Sequence, residues 1–198
     1  MKKIVLLLIA IIISTGAFSQ FNKGRILVGG NLGFNSTTSK TKIGSNSSTT
    51  NEKSIMFSFT PQIGYFIIDN LAAGVGLNLS FSKVTPTADI FGEQNTSIQF
   101  QPFIRYYIKP GIFFQGTCGL GTEKDNQTYQ GSSQIQKYTV FNWSAATGYS
   151  INLNNRVAIE PQFGYGSNTL KDKSNAEIRR NIDSGLFFKI GLQVYLRN

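Results

Sequence analysis

The sequence has no histidine, a single cysteine (Cys118) and few charges, which make up 15% of its 198 residues. Lacking histidine, it lacks the commonest metal ligand, the commonest general base and every Ser-His or Cys-His nucleophile pair, so most familiar hydrolase chemistry is set aside. One cysteine makes neither an internal disulfide nor a cysteine-based zinc site, and no metal or other cofactor is expected. Acidic side chains are sparse, 10 against 19 Lys and Arg. The resulting +9 points to nucleic acid or an anionic membrane surface only if the positive charges share a face. They are dispersed, without interleaved aromatics, so no nucleic-acid partner is expected. Beyond residue 20 no run approaches 18 consecutive apolar residues, and no transmembrane helix is expected there. What the chain does have is 16 Phe, 8 Tyr and 20 Gly, a composition too aromatic for disorder and, at this length, suited to one domain.

Residues 1–19 read as a removable address. Lys2 and Lys3 precede an apolar run from Ile4 to Ile13 and a small-residue exit ending Ala17-Phe18-Ser19. This is the three-part pattern of a secretory signal peptide, with Sec-type export and cleavage near Ser19. Ten apolar residues rise only about 15 Å as a helix, too little to span a bilayer. Residues 20–198 are then one exported domain.

From residue 24 onward the spacing has period two, the mark of strands with two different faces. Eight segments show it, beginning with Arg25 to Asn35, Ser54 to Phe66, Leu71 to Ser82 and Thr96 to Ile108. Ile112 to Gly121, Tyr138 to Ile151, Val157 to Gly166 and Leu186 to Leu196 complete the set. In the fourth, Ile98, Phe100, Pro102, Ile104, Tyr106 and Ile108 oppose Gln99, Gln101, Arg105 and Tyr107. Polar linkers at Ser36 to Lys53, Val84 to Asn95, Glu123 to Gln134 and Thr169 to Arg180 alternate with tight turns at Asp69-Asn70, Lys109-Pro110-Gly111 and Asn152 to Asn155. Four long and three short connections predict an eight-stranded antiparallel up-and-down transmembrane β-barrel, with four long extracellular loops and three short periplasmic turns. The first loop, rich in Ser, Thr, Asn and Lys, is expected to be solvated and mobile.

A soluble barrel would also alternate, and the polar face separates the two. It carries Gly, Ser, Thr, Asn and Gln with only Arg105, Glu160 and Lys189 as clear mid-strand charges, which suits a narrow lumen better than an aqueous exterior. The charge-free Phe, Leu, Ile and Val face suits hydrocarbon, and strands of about 11 residues match a tilted span. Tyr65, Tyr106 and Tyr149 near the short turns, with Phe34, Phe57, Phe81 and Tyr165 toward the loops, predict two interfacial girdles. Pro61, Pro102 and Pro161 fall inside strands in a recurring Pro-x-x-x-Tyr pattern. Each removes a ladder donor, and a bulge at each would reconcile it with the sheet.

The export signal, PQIGYFIIDNLAAGVGL (61–77), FIRYYIKPGIFFQGTCGLG (103–121) and KIGLQVYL (189–196) together resemble the small outer-membrane β-barrel proteins of Gram-negative bacteria. These are often labelled the porin family or the outer membrane protein β-barrel domain, and they include OmpX-, OmpW- and OmpA-type barrels. The last stretch resembles the signal read by the barrel assembly machinery, here Lys189, Gly191, Val194 and Leu196, although Arg197-Asn198 follow where that signal ends on an aromatic. The resemblance implies an integral outer-membrane protein.

Arg105, Glu160 and Lys189 are the candidate lumen charges. They are expected to form a buried ion-pair plug, because a lone charge in a narrow lumen is costly. The resemblance to OmpA-type barrels implies the alternative, a gate that opens when pairing rearranges. Lys171, Lys173, Arg179 and Arg180 of the fourth loop could meet lipopolysaccharide phosphates, though a solvated mixed-charge loop is the favoured reading, since surface charges ordinarily need no partner. Cys118 reads as a small lipid-facing hydrophobe. The expected function is a structural or surface-interaction role, in envelope integrity or adhesion, by a monomer among outer-membrane lipids and lipopolysaccharide. A passive channel for small solutes or a hydrophobic compound is the alternative, and a membrane-embedded enzyme is not expected without histidine.

Overall fold

A chain whose strands carry one apolar and one small polar face can keep lipid on one side and exclude it from the other only by rolling the sheet into a closed tube. The computed structural model shows this for residues 21–43, 48–86, 91–108, 111–129, 132–172 and 180–196, the residues it describes. Eight long strands follow in order: β1 (Ile26–Ile43), β2 (Ser48–Ile68), β3 (Leu71–Pro86), β4 (Phe91–Ile108), β5 (Ile112–Tyr129), β6 (Ser132–Tyr149), β7 (Val157–Asp172) and β8 (Arg180–Leu196). A two-residue segment, Ile151–Asn152, continues β6. Each strand pairs antiparallel with its sequence neighbour, and β8 returns to β1 to close the wall.

Stepping between paired residues from Ile190 through Leu32, Phe59, Leu79, Ile98, Thr122, Thr139 and Lys171 arrives back on β8 at Arg180, ten residues from the start. That offset over eight strands tilts them about 40° from the barrel axis. The lipid-facing residues of β4 run from Ile98 to Ile108. At about 3.3 Å per residue and this tilt they rise about 25 Å, the height of an outer-membrane apolar band. At its upper edge Phe34, Phe57 and Phe81 lie side by side across β1, β2 and β3 and face outward. Tyr65 and Tyr106 face outward toward the other rim.

The polar linkers depart from expectation. Pairing continues through most of them, to Ile43↔Ser48 in the first and Tyr129↔Ser132 in the third. The linkers are therefore mostly hairpin stems that prolong the wall beyond the apolar band, and strands reach 16 to 21 residues. Water faces both sides there, so the alternation that betrays a strand in lipid is absent while backbone pairing persists.

The prolines also differ from expectation, because no bulge accompanies them. Flanking pairs keep one register across each: Phe59↔Leu79 and Gln62↔Gly76 around Pro61, Phe100↔Leu120 and Phe103↔Thr117 around Pro102. Gly148↔Gln162 and Ile151↔Ile159 do so around Pro161, whose gap is what separates Ile151–Asn152 from β6. Each proline leaves the ladder unpaired on one side and intact on the other, where Pro61 faces Gly30, Pro102 faces Val75 and Pro161 faces Ile190. The one shift in the β2–β3 ladder lies between Phe66 and Ile68, at the Asp69-Asn70 turn. Asn70 takes φ 65° there, a left-handed conformation that asparagine tolerates.

Candidate functional site

The lumen is filled in layers. At the short-turn end, Phe66 of β2, Tyr107 of β4, Phe113 of β5 and Tyr195 of β8 point inward and are almost fully buried. Phe21, from the segment ahead of β1, closes this mouth by stacking on Tyr107 at 4.1 Å and meeting Tyr195 edge-on at 5.6 Å. Its carbonyl accepts the Asn70 amide at 2.7 Å, and the Lys23 amide donates to Asp69 at 2.8 Å, tying the segment across the barrel rim.

Above the rings, Arg105 and Glu160 bridge the lumen between β4 and β7 at 2.6 Å, both fully buried. The guanidinium also donates to Gln115 (2.6 Å) and to the Tyr107 hydroxyl (3.0 Å), with its carbon 4.5 Å over the Phe113 ring. Glu160 accepts further from Tyr195 at 2.5 Å and Tyr107 at 3.3 Å. A buried charge pair survives in such a place only when its remaining donors and acceptors are met. Here the carboxylate is met in full and Arg105 leaves one nitrogen, Nη2, unmatched.

The next layer is amide. Asn31 donates to Gln62 (3.1 Å) and accepts from Gln162 (2.9 Å), while Gln101 donates to Asn142 (3.0 Å) and Thr117 bonds Ser144 (2.6 Å). Their sizes leave a polar cavity of about 20 Å³, enough for a water or two. Two amide atoms, Gln62 Nε2 and Gln193 Oε1, stay without protein partners.

Of the three candidate charges, all point inward, and two come together. Lys189 does not join the pair: it sits on β8 opposite Gln162 and Gly33, with its ammonium 4.8 Å over the Phe187 ring. Glu160 faces Gly191, two residues nearer the rim, and is taken by Arg105 across the lumen. The rest of the closing-strand signal splits by face, Gly191 inward and Val194 and Leu196 outward, all on the seam with β1. Lys171 is exposed at the long-hairpin end of β7 and pairs with Arg180 in the ladder. Lys173, Arg179 and residues 1–20, which include the signal segment, lie outside the described residues, as does the Arg180 side chain. Cys118 is exposed on the lipid side.

Sequence reasoning passed over Phe21, Tyr107 and Tyr195 as site residues. The available signal for Tyr107 was an aromatic two residues from Arg105 on the otherwise small and polar face. Phe21 had none, since it precedes the alternation and its place depends on the rings of three strands.

The sequence profile of the outer membrane protein beta-barrel domain family matches residues 70–198. Among solved structures, the attachment invasion locus protein Ail of Yersinia pestis aligns over 87% of this chain and 98% of its own, with 14% identity and a TM-score of 0.50. Neisserial surface protein A aligns over 87% and 97%, with 15% identity and a TM-score of 0.48. No curated protein sequence matches this one.

Proposed function

Because the chain belongs to the outer membrane protein beta-barrel domain family, whose place is the outer membrane, we propose that it is a non-conducting integral barrel with a structural or surface-interaction role. Envelope integrity, or adhesion through the four long hairpins, is the work this reading assigns to it. The observation that carries it is the closed short-turn end, where the Arg105–Glu160 pair and the rings of Phe21, Tyr107 and Tyr195 occupy the lumen with no exposed surface at the pair. Eight-stranded interiors are normally filled by side chains, and this one is filled most tightly where a solute would have to leave. In this orientation the short turns are periplasmic and the hairpins extracellular.

Export with cleavage near Ser19 and insertion guided by Lys189, Gly191, Val194 and Leu196 complete the proposal, with a monomer in contact with membrane lipid. Lys171, Lys173, Arg179 and Arg180 are the proposed lipopolysaccharide contacts at the long-hairpin rim. Catalysis has no part in it, since the chain has no histidine to serve as a general base. The second reading, passage of small solutes, draws support from the polar cavity around Gln62 and Lys189.

Planar-bilayer conductance of the purified protein and of Glu160→Gln separates the two. Neither protein is expected to form channels, and reproducible openings from either sink the non-conducting reading. Gel mobility with and without boiling checks the premise: the folded barrel migrates apart from the boiled chain.

A further inference from the structure

The seam between β1 and β8 stops short. Its pairing runs from Ile26↔Leu196 to Gly33↔Lys189 and ends, although β1 continues to Ile43 and β8 starts at Arg180. Beyond that point each strand stays paired on its other side, β1 with β2 to Ile43↔Ser48 and β8 with β7 to Lys171↔Arg180. Two unpaired strand edges therefore flank a gap in the wall. The first residues past the seam, Phe34 and Phe188, are 64% and 51% exposed, and Leu186 is 61% exposed. All three face outward, so the gap begins at the upper edge of the lipid-facing band. On the lumen side, a side chain added at Gly185 would meet nothing within 4 Å.

Lys189 is the last paired residue and sits at the foot of this gap. Its ammonium lies over the Phe187 ring, and among the described residues no carboxylate lies within ion-pair distance. The cavity beside it is lined by Lys189, Asn31, Gln62 and Gln162 among others, with no acidic residue. Gln62, only 6% exposed, holds an amide nitrogen there with no acceptor. A charged donor and a neutral donor thus border one space, with no acceptor for the amide and no carboxylate for the ammonium among the described residues. Such a cation in a low-dielectric wall favours an anion beside it.

We propose that the β1–β8 gap is a lateral opening from the membrane half at the long-hairpin end. Through it Lys189, with the Gln62 amide, binds the carboxylate of a single-chain amphiphile. The hydrocarbon tail lies outward through the gap against Phe34, Leu186 and Phe188, where lipid already meets apolar side chains. A carboxylate has lone pairs enough to accept from both donors. The closed short-turn end means that the ligand is held and not passed across. The proposal is independent of the structural role assigned above, since it concerns the half of the lumen away from the ion pair.

The test uses the mature chain in nanodiscs of zwitterionic lipid with a diazirine-bearing dodecanoate, and crosslinks are mapped by mass spectrometry. Labelling is expected to concentrate on residues 33–34 and 185–189 and to fall about tenfold in Lys189→Met. Unlabelled dodecanoate should compete, while acetate and dodecanol should not. Labelling spread around the barrel, or unchanged by Lys189→Met, overturns the proposal. Acetate competing as well as dodecanoate also overturns it, leaving a small-anion site. Should Lys189→Met fail to insert, Gly185→Trp supplies a second arm by filling the lumen side of the gap. It must abolish the labelling, and full labelling in that variant is equally fatal.

Discussion

Glu160→Gln keeps the shape of the side chain, removes its charge and leaves the Arg105 guanidinium buried without a counter-ion. The carboxylate takes three hydrogen bonds, from Arg105 at 2.6 Å, Tyr195 at 2.5 Å and Tyr107 at 3.3 Å, and both partners of the pair are fully buried. Removing one partner of such a pair costs about 3–5 kcal/mol, because the survivor is still desolvated and now uncompensated. With a urea slope of about 2 kcal/mol per M, the unfolding midpoint should fall by about 1.5–2.5 M. The assay is urea titration of the refolded barrel in detergent, read as the fraction of unboiled, fast-migrating band. A double-mutant cycle sharpens it. Arg105→Met with Glu160→Leu puts apolar side chains of similar volume where the pair was, and such exchanges are often neutral or better. The double variant should therefore be more stable than either single one, with a coupling of about 3 kcal/mol. A Glu160→Gln shift below about 1 kcal/mol, or a double variant no better than the worse single, would refute the view that this pair is buried and mutually compensated.

Phe21→Ala removes the ring stacked on Tyr107 and should cost about 3–5 kcal/mol by the same titration. Gly74→Val should destabilise by about 1–3 kcal/mol or prevent folding, since even a Cβ there would lie 2.6 Å from Gly64 Cα and 2.6 Å from the Phe103 ring. Gly185→Val, facing open space, should change stability by less than about 0.5 kcal/mol. Cys118 faces lipid, so in vesicles a charged maleimide should leave it unmodified while an apolar one reacts; rapid modification by the charged reagent would place that face of β5 in water.

The barrel was legible because alternation is a local property. Each of the eight segments shows its two faces within a dozen residues, and an uncharged apolar face opposite a small, amide-rich one leaves lipid outside and a narrow lumen inside. The same locality hid the hairpin stems. From Ser36 to Lys53 both faces are polar, so nothing in the spacing marks a strand, yet Ser36↔Ile55 through Ile43↔Ser48 pair in continuous register. The prolines misled for a related reason. A proline interrupts only the side of the ladder to which its missing N–H would point, so Pro61 and Pro102 sit in register without a bulge.

By itself the sequence determined which residues face inward, Arg105, Glu160 and Lys189 among them, because the face of a strand residue follows from its parity. Which inward residues meet was decided only by the closed barrel. Glu160 and Lys189 lie on neighbouring strands, yet the carboxylate turns to Arg105, three strands away along the wall and directly across the lumen. That meeting depends on strand number and shear, which set the height and bearing of every side chain around the axis. Those quantities belong to the whole ring of pairings, as does the short β1–β8 seam, at whose end Lys189 has no ionic partner among the described residues.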